Sequence, residues 1–312
     1  MSTVYKVDID INNKVRISGT ELDQLNKSCY SELLYHIHSL VVLMRDKETD
    51  RVRTTEQSLQ IIDEIQSRKG ATLAEIVDHF DLAKSTVHRH LTTLRHHGYI
   101  VKEGEEYNIG LKFYNKGAHA RTRKQSYQLV AEAVQDLADI TEEEIDFLVP
   151  NNNRAIVVHA SYHRNSTYQQ EVIHPIEVGQ HAGTYYHLHS TAGGKAILAE
   201  FSDEKIDRVI DQWGLPKRTE NTHTSRADLF EDLNKIRERG VALSNEEYAY
   251  GLRAVGRRVL SPDGSVLGAV SLSAPAYRLS TDIMAEEVTE LLISTIDELE
   301  DELDTSSVPP TD

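Results

Sequence analysis

The chain has 312 residues, of which 39% are hydrophobic, and it carries a formal net charge of −16. This length predicts two domains, and no apolar run approaches the roughly 18 residues that a membrane-spanning helix needs. The single cysteine, Cys29, excludes an intrachain disulfide and any cysteine-based zinc finger. The charged N-terminus is unlike a secretory signal, so we expect a cytoplasmic protein without a membrane partner.

Residues 1–50 form an N-terminal extension of unknown role. Residues 4–17 alternate apolar and polar side chains, which predicts a strand or a hairpin, and residues 33–44 are apolar enough for a short helix. Two interpretations stay open. The extension is either an arm that packs on the rest of the chain, or upstream sequence translated in error, with Met44 as the true start.

Residues 51–110 have the pattern of a winged helix-turn-helix. A first helix begins near residue 55 and ends near Gly70. Its predicted apolar face consists of Leu59, Ile62 and Gln66, with Ile61 and Ile65 beside them. Thr72 and Glu75 then have the spacing of a capping box, which starts a second, short helix. Residues 81–83 make a tight turn.

The third helix of this region spans residues 84–97 and ends at Gly98. Its inward residues are Val87, Leu91 and Leu94. Two short strands, residues 99–101 and 107–109, follow it and form a hairpin. This hairpin is the expected wing.

The charge distribution supports a DNA-binding region inside an acidic chain. Residues 51–124 hold 13 lysines and arginines against 9 acidic residues, a net charge of +4, so the rest of the chain carries −20. Residues 82–102 contain no acid. Because attraction to phosphates is local at ordinary salt concentrations, a local basic stretch is typical of a modular DNA-binding domain.

The remainder of the chain mixes helices and strands. Residues 111–140 are mainly helical, with Gly117 as a weak point, and are expected to be a linker helix. Strands are predicted at 145–149, 155–162, 168–173, 241–243, 253–260 and 266–273, and helices at 192–199, 203–213, 227–239 and 281–303. Hairpin-type links favour an antiparallel sheet backed by helices over a doubly wound fold. We expect a domain over residues 141–304 and a disordered tail over 305–312.

Four separated motifs carry a family resemblance. They are LAKSTVHRHL at 82–91, HSTAGGKAIL at 189–198, RGVALSNEEYAYGLR at 239–253 and SLSAP at 271–275. In this order they resemble the IclR family of transcriptional regulators, over about residues 53–303. The resemblance implies an α+β protein with a winged helix-turn-helix, a linker helix and a GAF-like effector domain. It also implies a dimer or tetramer on a palindromic DNA operator.

The outer face of the third helix carries the candidate DNA-binding residues. It presents small, polar and basic side chains, as a recognition helix in the major groove does. Arg89 can bind a guanine edge or hold a phosphate. The candidates are Lys84, Ser85, Thr86, His88, Arg89, Thr92 and, near the wing, Lys102. The alternative is a protein-interaction module whose polar face is only solvated.

A ligand site is expected where residues 191–195 begin a helix. Free N–H groups and the positive end of the helix dipole can bind a carboxylate there, which favours a small polar or anionic metabolite. Ser271 and Ser273 lie on one face of a strand. The resemblance implies a pocket made by Ala192, Gly193, Ser244, Ala254, Ser271 and Ser273.

Several features of this expected pocket leave alternatives open. Ala254 stands where the family often has cysteine and Ser244 where it often has an acid, so the ligand of the family does not carry over. Arg253 either neutralises an anionic ligand or forms a structural salt bridge. Gly193 and Gly194 either contact the ligand or only allow close packing of the helix on the sheet.

Metal and enzyme chemistry are not indicated by the sequence. Two histidine groups, His88, His90, His96 and His97 and then His174, His181, His187 and His189, lack a full ligand set at a diagnostic spacing. His187 and His189 would share a face if that segment were extended. Nucleophile-elbow, phosphate-loop and HExxH motifs are absent. We therefore expect no metal, no cofactor and no catalysis, and a small-molecule enzyme using residues 187–195 is the remaining alternative.

Overall fold

The computed structural model describes the backbone of residues 6–9 and 15–18, and residues 51–161, 182–280, 282–283 and 286–306 with their side chains. The predicted helix at 33–44, the predicted strand at 168–173 and the tail from 307 lie outside these residues. The chain divides into two compact units, Met1–Phe113 and Tyr114–Asp312. Within the described residues, no helix has both the length and the apolar character that a membrane span requires.

The first unit is a winged helix-turn-helix preceded by a hairpin. The hairpin strands β1 (Lys6–Ile9) and β2 (Val15–Ser18) coincide with the predicted segment 4–17, except that β2 ends one residue beyond it. The remaining elements are α1 (Arg53–Arg68), β3 (Ala71–Thr72), α2 (Leu73–His79), α3 (Lys84–His96), β4 (Ile100–Glu103) and β5 (Glu106–Ile109). The strands pair antiparallel in the order β3-β5-β4, and β4 and β5 form the predicted wing.

Local sequence explains how these helices begin and pack. The Thr72 hydroxyl accepts a hydrogen bond from the Glu75 N–H, and the Glu75 carboxylate accepts one from the Thr72 N–H at 2.8 Å, so the predicted capping box starts α2. Val87, Leu91 and Leu94 are buried, as predicted for α3. The chain leaves α3 at Gly98, whose φ of 75° suits glycine.

The predicted apolar face of α1 is wrong at two positions. Ile61, Ile62 and Ile65 are buried, whereas Leu59 is 56% exposed and Gln66 is also exposed. Leu59 is two residues, and therefore about 200° around the helix, from the fully buried Ile61. The two isoleucines spaced by four residues set the buried face, so Leu59 points away from it.

The second unit contains an antiparallel sheet with helices on both faces, as predicted. Its strands are β6 (Glu144–Asn151), β7 (Arg154–Ser161), β8 (Tyr185–Tyr186), β9 (Ala242–Asn245), β10 (Leu252–Leu260) and β11 (Val266–Pro275), in the order β8-β7-β6-β11-β10-β9. Its helices are α4 (Lys112–Thr122), which begins at the unit boundary, α5 (Ser126–Thr141), α6 (Ala192–Ala199), α7 (Asp203–Trp213), α8 (Arg226–Arg239) and α9 (Glu287–Ser306).

Side chains alternate between the two faces of each strand, so the sheet has one apolar core on each face. Ile145 and Phe147 of β6 face α5 and α9, together with residues such as Val134 and Ile296. Leu148 of β6 faces the other side, where α6, α7 and α8 pack. Glu144 and Asp146 have the same parity as Leu148 and therefore lie on the face that α6 covers.

The segment expected to be one linker helix forms two helices. The break lies at residues 123–125, between α4 and α5, and not at Gly117. Val130, Val134 and Leu137 of α5 are fully buried against the sheet. Because α5 contributes to this core, it is an integral helix of the second unit.

Candidate nucleic-acid interface and ligand cavity

One face of α3 presents the predicted DNA-binding residues. Ser85, His88, Arg89 and Thr92 are exposed, and each lies three or four residues from two of the others, so they form one stripe opposite the buried side. Lys84 and Lys102 are also exposed. Thr86 is half-buried, and the structure brings it less fully to the surface than its neighbours.

The stripe is chemically available to an anionic partner. Among the described residues, no carboxylate lies within ion-pair distance of Arg89 or Lys84. Lys102 Nζ is 3.5 Å from Glu105 Oε2 at the exposed wing. The Thr92 hydroxyl donates to the His88 carbonyl oxygen at 2.8 Å, so it can still accept a hydrogen bond. His90 instead joins α3 to α1, with Nδ1 2.7 Å from Ser58 Oγ.

The second unit has a cavity of about 40 Å³ between the start of α6 and the sheet. Its described lining consists of Glu144, Asp146, Leu148, Tyr186, Thr191, Ala192, Gly193, Ser244, Tyr248, Leu252, Ala254, Ser271 and Ser273. All six residues expected to form the pocket are in this lining. Strand pairing explains why several of these residues lie side by side. Ser244 pairs with Ala254, Ala254 with Ser273, and Ser273 with Glu144, across four strands.

Small residues let α6 approach the sheet. A Cβ at Gly193 would lie 2.6 Å from Leu148 Cδ1, and a Cβ at Gly256 would lie 2.6 Å from the Ala192 carbonyl carbon. Thr191 caps the helix, since its hydroxyl accepts a hydrogen bond from the Gly194 N–H at 3.1 Å. Gly193 therefore serves close packing, and it also borders the cavity.

The acidic residues of the cavity were missed by the sequence analysis. Glu144 and Asp146 are buried, with 3% and 6% exposure, and both line the cavity with Tyr186 and Tyr248. A signal existed, because Glu144 directly precedes the strand predicted over residues 145–149 and Asp146 lies in it, and residues two apart in an extended chain share one face. No carboxylate pair was expected there.

The acid pair is held in an environment that disfavours two negative charges. Burial raises the pKa of Asp146 from its usual 3.8 to about 7. Burial also raises the pKa of Glu144 well above its usual value, and the charge of Asp146 raises it further. A hydrogen bond joins the two carboxyl groups. The pair therefore retains a proton near neutral pH.

Replacing Asp146 by asparagine is expected to stabilise the protein at pH 8 but not at pH 4. A carboxyl group with a raised pKa in the folded chain contributes full stability below its unfolded pKa of 3.8, and this is lost as the pH rises through about 7. The free-energy gain at pH 8 is on the order of a few kcal/mol. Thermal unfolding of both proteins from pH 4 to 8 measures it, and parallel pH profiles would contradict it.

Hydrogen bonds decide between the two alternatives that the sequence left open for Arg253. Arg253 lies outside the cavity lining, and its guanidinium donates to Asn245 Oδ1 at 2.7 Å and to the Leu279 carbonyl oxygen at 3.0 Å. Its role is structural, although its partners are an amide and carbonyl groups and not the expected carboxylate.

His187 and His189, which lie just before and at the start of the second motif, are not on a common strand face. The segment Leu188–Ser190 is a 3-10 turn, so His187 and His189 are not placed as the extended segment would place them. Burial lowers the pKa of His189 to about 4, and its Nε2 lies 3.1 Å from the Pro216 carbonyl oxygen. His189 is a neutral structural donor. His174 and His181 lie outside the described residues.

A buried ionic cluster lies beneath α6. Lys195 Nζ, fully buried, is 2.6 Å from Asp232 Oδ2, 2.7 Å from Glu247 Oε1 and 2.9 Å from the Leu243 carbonyl oxygen. His223 lies beside both acids, and these three side chains could ligate a metal. Burial alone would raise the pKa of Asp232, but hydrogen bonds from His223 and Lys195 hold it well below its usual value. The ammonium group already occupies the cluster, which is structural.

Comparison with known families covers both units. Residues 54–104 match the family model described as IclR helix-turn-helix domain, and residues 121–300 match the model described as bacterial transcriptional regulator IclR C-terminal. The second match alone exceeds half of the chain.

Curated relatives are similar over most of their length. The chain is 29% identical over 260 residues to a probable HTH-type transcriptional regulator ArcR of Halobacterium salinarum, covering 83% of this chain and 97% of that protein. It is 28% identical over 243 residues to the transcriptional repressor IclR of Escherichia coli, covering 76% and 85%. These relatives are named as transcriptional regulators and not as enzymes.

Solved structures share the fold. The IclR protein of Thermotoga maritima superimposes with a TM-score of 0.61 at 24% identity, covering 81% of this chain and all of that chain. A putative transcriptional regulator of Rhodococcus sp. RHA1 gives a TM-score of 0.66 at 21% identity, covering 82% and 100%. At these identities the likeness shows the arrangement of helices and strands.

Proposed function

The chain belongs to the IclR family of transcriptional regulators, and on that premise we propose that it binds a palindromic operator as a dimer or tetramer. A small organic metabolite in the α6 cavity modulates its affinity for DNA. The protein acts where the DNA is, in the cytoplasm. We assign the winged helix-turn-helix domain to residues 51–110, the connecting segment to 111–140 and the effector domain to 141–304, with α5 of the connecting segment packed in the core of the second unit.

The observation that carries this proposal is the acid-free polar stripe on α3. Ser85, His88, Arg89 and Thr92 are the residues that would enter the major groove, because the opposite side of the helix is buried. Arg89, without an acidic partner among the described residues, is free to bind a base edge or a phosphate. Lys84 and Lys102 would bind the phosphate backbone.

The effector part of the proposal is supported by the cavity. Six residues expected from the family resemblance surround one space, although they come from α6, β9, β10 and β11. A ligand that binds one conformation of the second unit more tightly than another shifts the population toward it. If the two conformations differ in DNA affinity, DNA and ligand affinities are coupled reciprocally.

Transcript measurement tests this function in the organism that carries the gene. Deleting the gene is expected to change transcript levels of a small set of genes, because an operator-specific regulator acts at few sites. Wild-type protein supplied from a plasmid is expected to restore them, and the Arg89→Ala protein is not. An unchanged transcriptome under varied carbon and nitrogen sources, or full restoration by Arg89→Ala, would contradict the proposal.

A further inference from the structure

The α6 cavity is lined by acidic residues, which do not suit the anionic ligand expected from the sequence. Its described lining contains two acids, Glu144 and Asp146, and no lysine, arginine or histidine. Both carboxylates are almost completely buried. Asp146 Oδ1 has no hydrogen-bond partner among the described residues. A buried polar atom is normally satisfied, so this oxygen, in the wall of a cavity, indicates that a hydrogen-bond donor binds there.

Hydroxyl groups surround the acid pair on the same face of the sheet. Ser271 pairs with Asp146 across β11 and β6, and Ser273 pairs with Glu144. Ala254 of β10 pairs with Ser273, and its small side chain leaves space that a larger side chain would fill. Two carboxylates with neighbouring hydroxyls suit a donor that carries three N–H groups on one atom, which a primary ammonium group does.

From this geometry we propose that the effector is a small primary amine or amino acid, whose ammonium group binds Glu144 and Asp146. The inference deepens the proposed function, on which it rests, by naming the chemical class of ligand for that cavity. A volume of about 40 Å³ holds only a few non-hydrogen atoms. Tyr186 and Tyr248, with ring centroids 5.2 Å apart, also line the cavity, and aromatic rings attract cations.

A carboxylate on the same ligand would be compatible with the start of α6. Ala192 and Gly193 border the cavity at the positive end of that helix. An amino acid would therefore place opposite charges toward opposite partners, whereas a simple anion would add a further negative charge beside a buried acid pair. Primary amines and amino acids share the ammonium group, and this group is what the acid pair binds.

Proton exchange should accompany binding. Several charged groups on neighbouring elements are engaged elsewhere: Glu143 pairs with Arg278 at 2.7 Å, Arg218 stacks on the Tyr248 ring, and Lys195 is held by its own acids. Burial raises the pKa of both carboxyl groups, and the charge of Asp146 raises that of Glu144 further, so the empty pair retains a proton. An ammonium ligand replaces that proton, and its affinity is expected to increase from pH 6 to pH 8.

Matched probes test the ligand class by titration calorimetry on the full chain. Glycine and glycolate share one skeleton, as do ethanolamine and ethylene glycol, and each pair differs by an ammonium group in place of a hydroxyl. We expect at least tenfold tighter binding of the ammonium member in at least one pair, with release of protons. Equal or tighter binding of the hydroxyl members, or no binding of either amine at millimolar concentrations, would overturn the proposal.

Variants connect the preference to the acid pair. Glu144→Gln and Asp146→Asn are each expected to abolish the ammonium preference, while Glu142→Gln, which removes the same charge at an exposed position, keeps it. Melting temperatures confirm that each variant is folded. DNA binding by the wild-type protein separates the two proposals. Operator binding without an ammonium preference rejects only the ligand class, and amine binding without any DNA affinity rejects only the regulator function.

Discussion

Replacing Arg89 by alanine is expected to reduce the affinity for the operator by about 10- to 100-fold for each half-site, or about 1–3 kcal/mol. Arg89 is exposed on α3, opposite the buried Leu91, and no described acid competes for its guanidinium. If it binds a guanine edge, its loss also relaxes the base preference at one position of each half-site. Fluorescence anisotropy with operator duplex and single-base variants measures both effects.

A matched arginine on the same helix controls for net charge. Arg95 is exposed in the last turn of α3, about 240° around the helix from Arg89. Arg95→Ala removes the same charge and is expected to lower affinity by less than about threefold, through weaker attraction to phosphates. Equal losses for the two variants would mean that the stripe contributes only charge, and would contradict base recognition by this face.

Replacing Lys195 by alanine is expected to destabilise the second unit by about 3–5 kcal/mol. Its ammonium group is the hydrogen-bond donor shared by Asp232, Glu247 and the Leu243 carbonyl oxygen, all within 2.9 Å. Without it, two carboxylates remain close together in a largely buried place. Differential scanning calorimetry should show the unfolding temperature falling by on the order of 10 °C.

Two comparisons isolate the cause of that loss. Lys235→Ala removes an exposed lysine that pairs with Glu231 on α8, the helix that carries Asp232, and should leave the unfolding temperature almost unchanged. Neutralising both acids in Lys195→Met/Asp232→Asn/Glu247→Gln should recover part of the stability, because no unpaired charge is then buried. A triple variant as unstable as Lys195→Ala would show that unpaired carboxylates are not the cause.

Local patterns were sufficient to predict the winged helix-turn-helix. The capping box at Thr72, the inward spacing of Val87 and Leu91, and the turn at Gly98 each act within a few residues of chain, so the sequence shows them directly. For the second unit, the sequence predicted an antiparallel sheet but not which strands pair with each other. Their order joins strands far apart in sequence, such as β6 and β11, which no local pattern specifies.

The predictions failed where tertiary contacts determine which residues are buried and where a helix ends. Leu59 is apolar but exposed, because Ile61 and Ile65 already occupy the face toward the core. The linker region breaks at residues 123–125 because α5 packs on the sheet, a contact that helical periodicity cannot locate. The ligand residues carried over from the family resemblance did converge on one cavity, and whether they bind a ligand stays a prediction.

The acid pair shows what a family pattern leaves out. The resemblance directed attention to helix and serine positions that surround the cavity, whereas Glu144 and Asp146 come from β6, outside all four motifs. Their alternation was visible in the sequence. Their burial next to Ser271 and Ser273 required the register between β6 and β11.

Selection of bound duplexes from a random-sequence DNA pool, at a low and a high salt concentration, tests the central claim most directly. The wild-type chain is expected to enrich a two-fold-symmetric sequence at both concentrations, with weaker binding at high salt, and the Arg89→Ala protein is expected to lose that enrichment. Folded wild-type protein that enriches no sequence at either concentration would contradict operator-specific DNA binding by this chain.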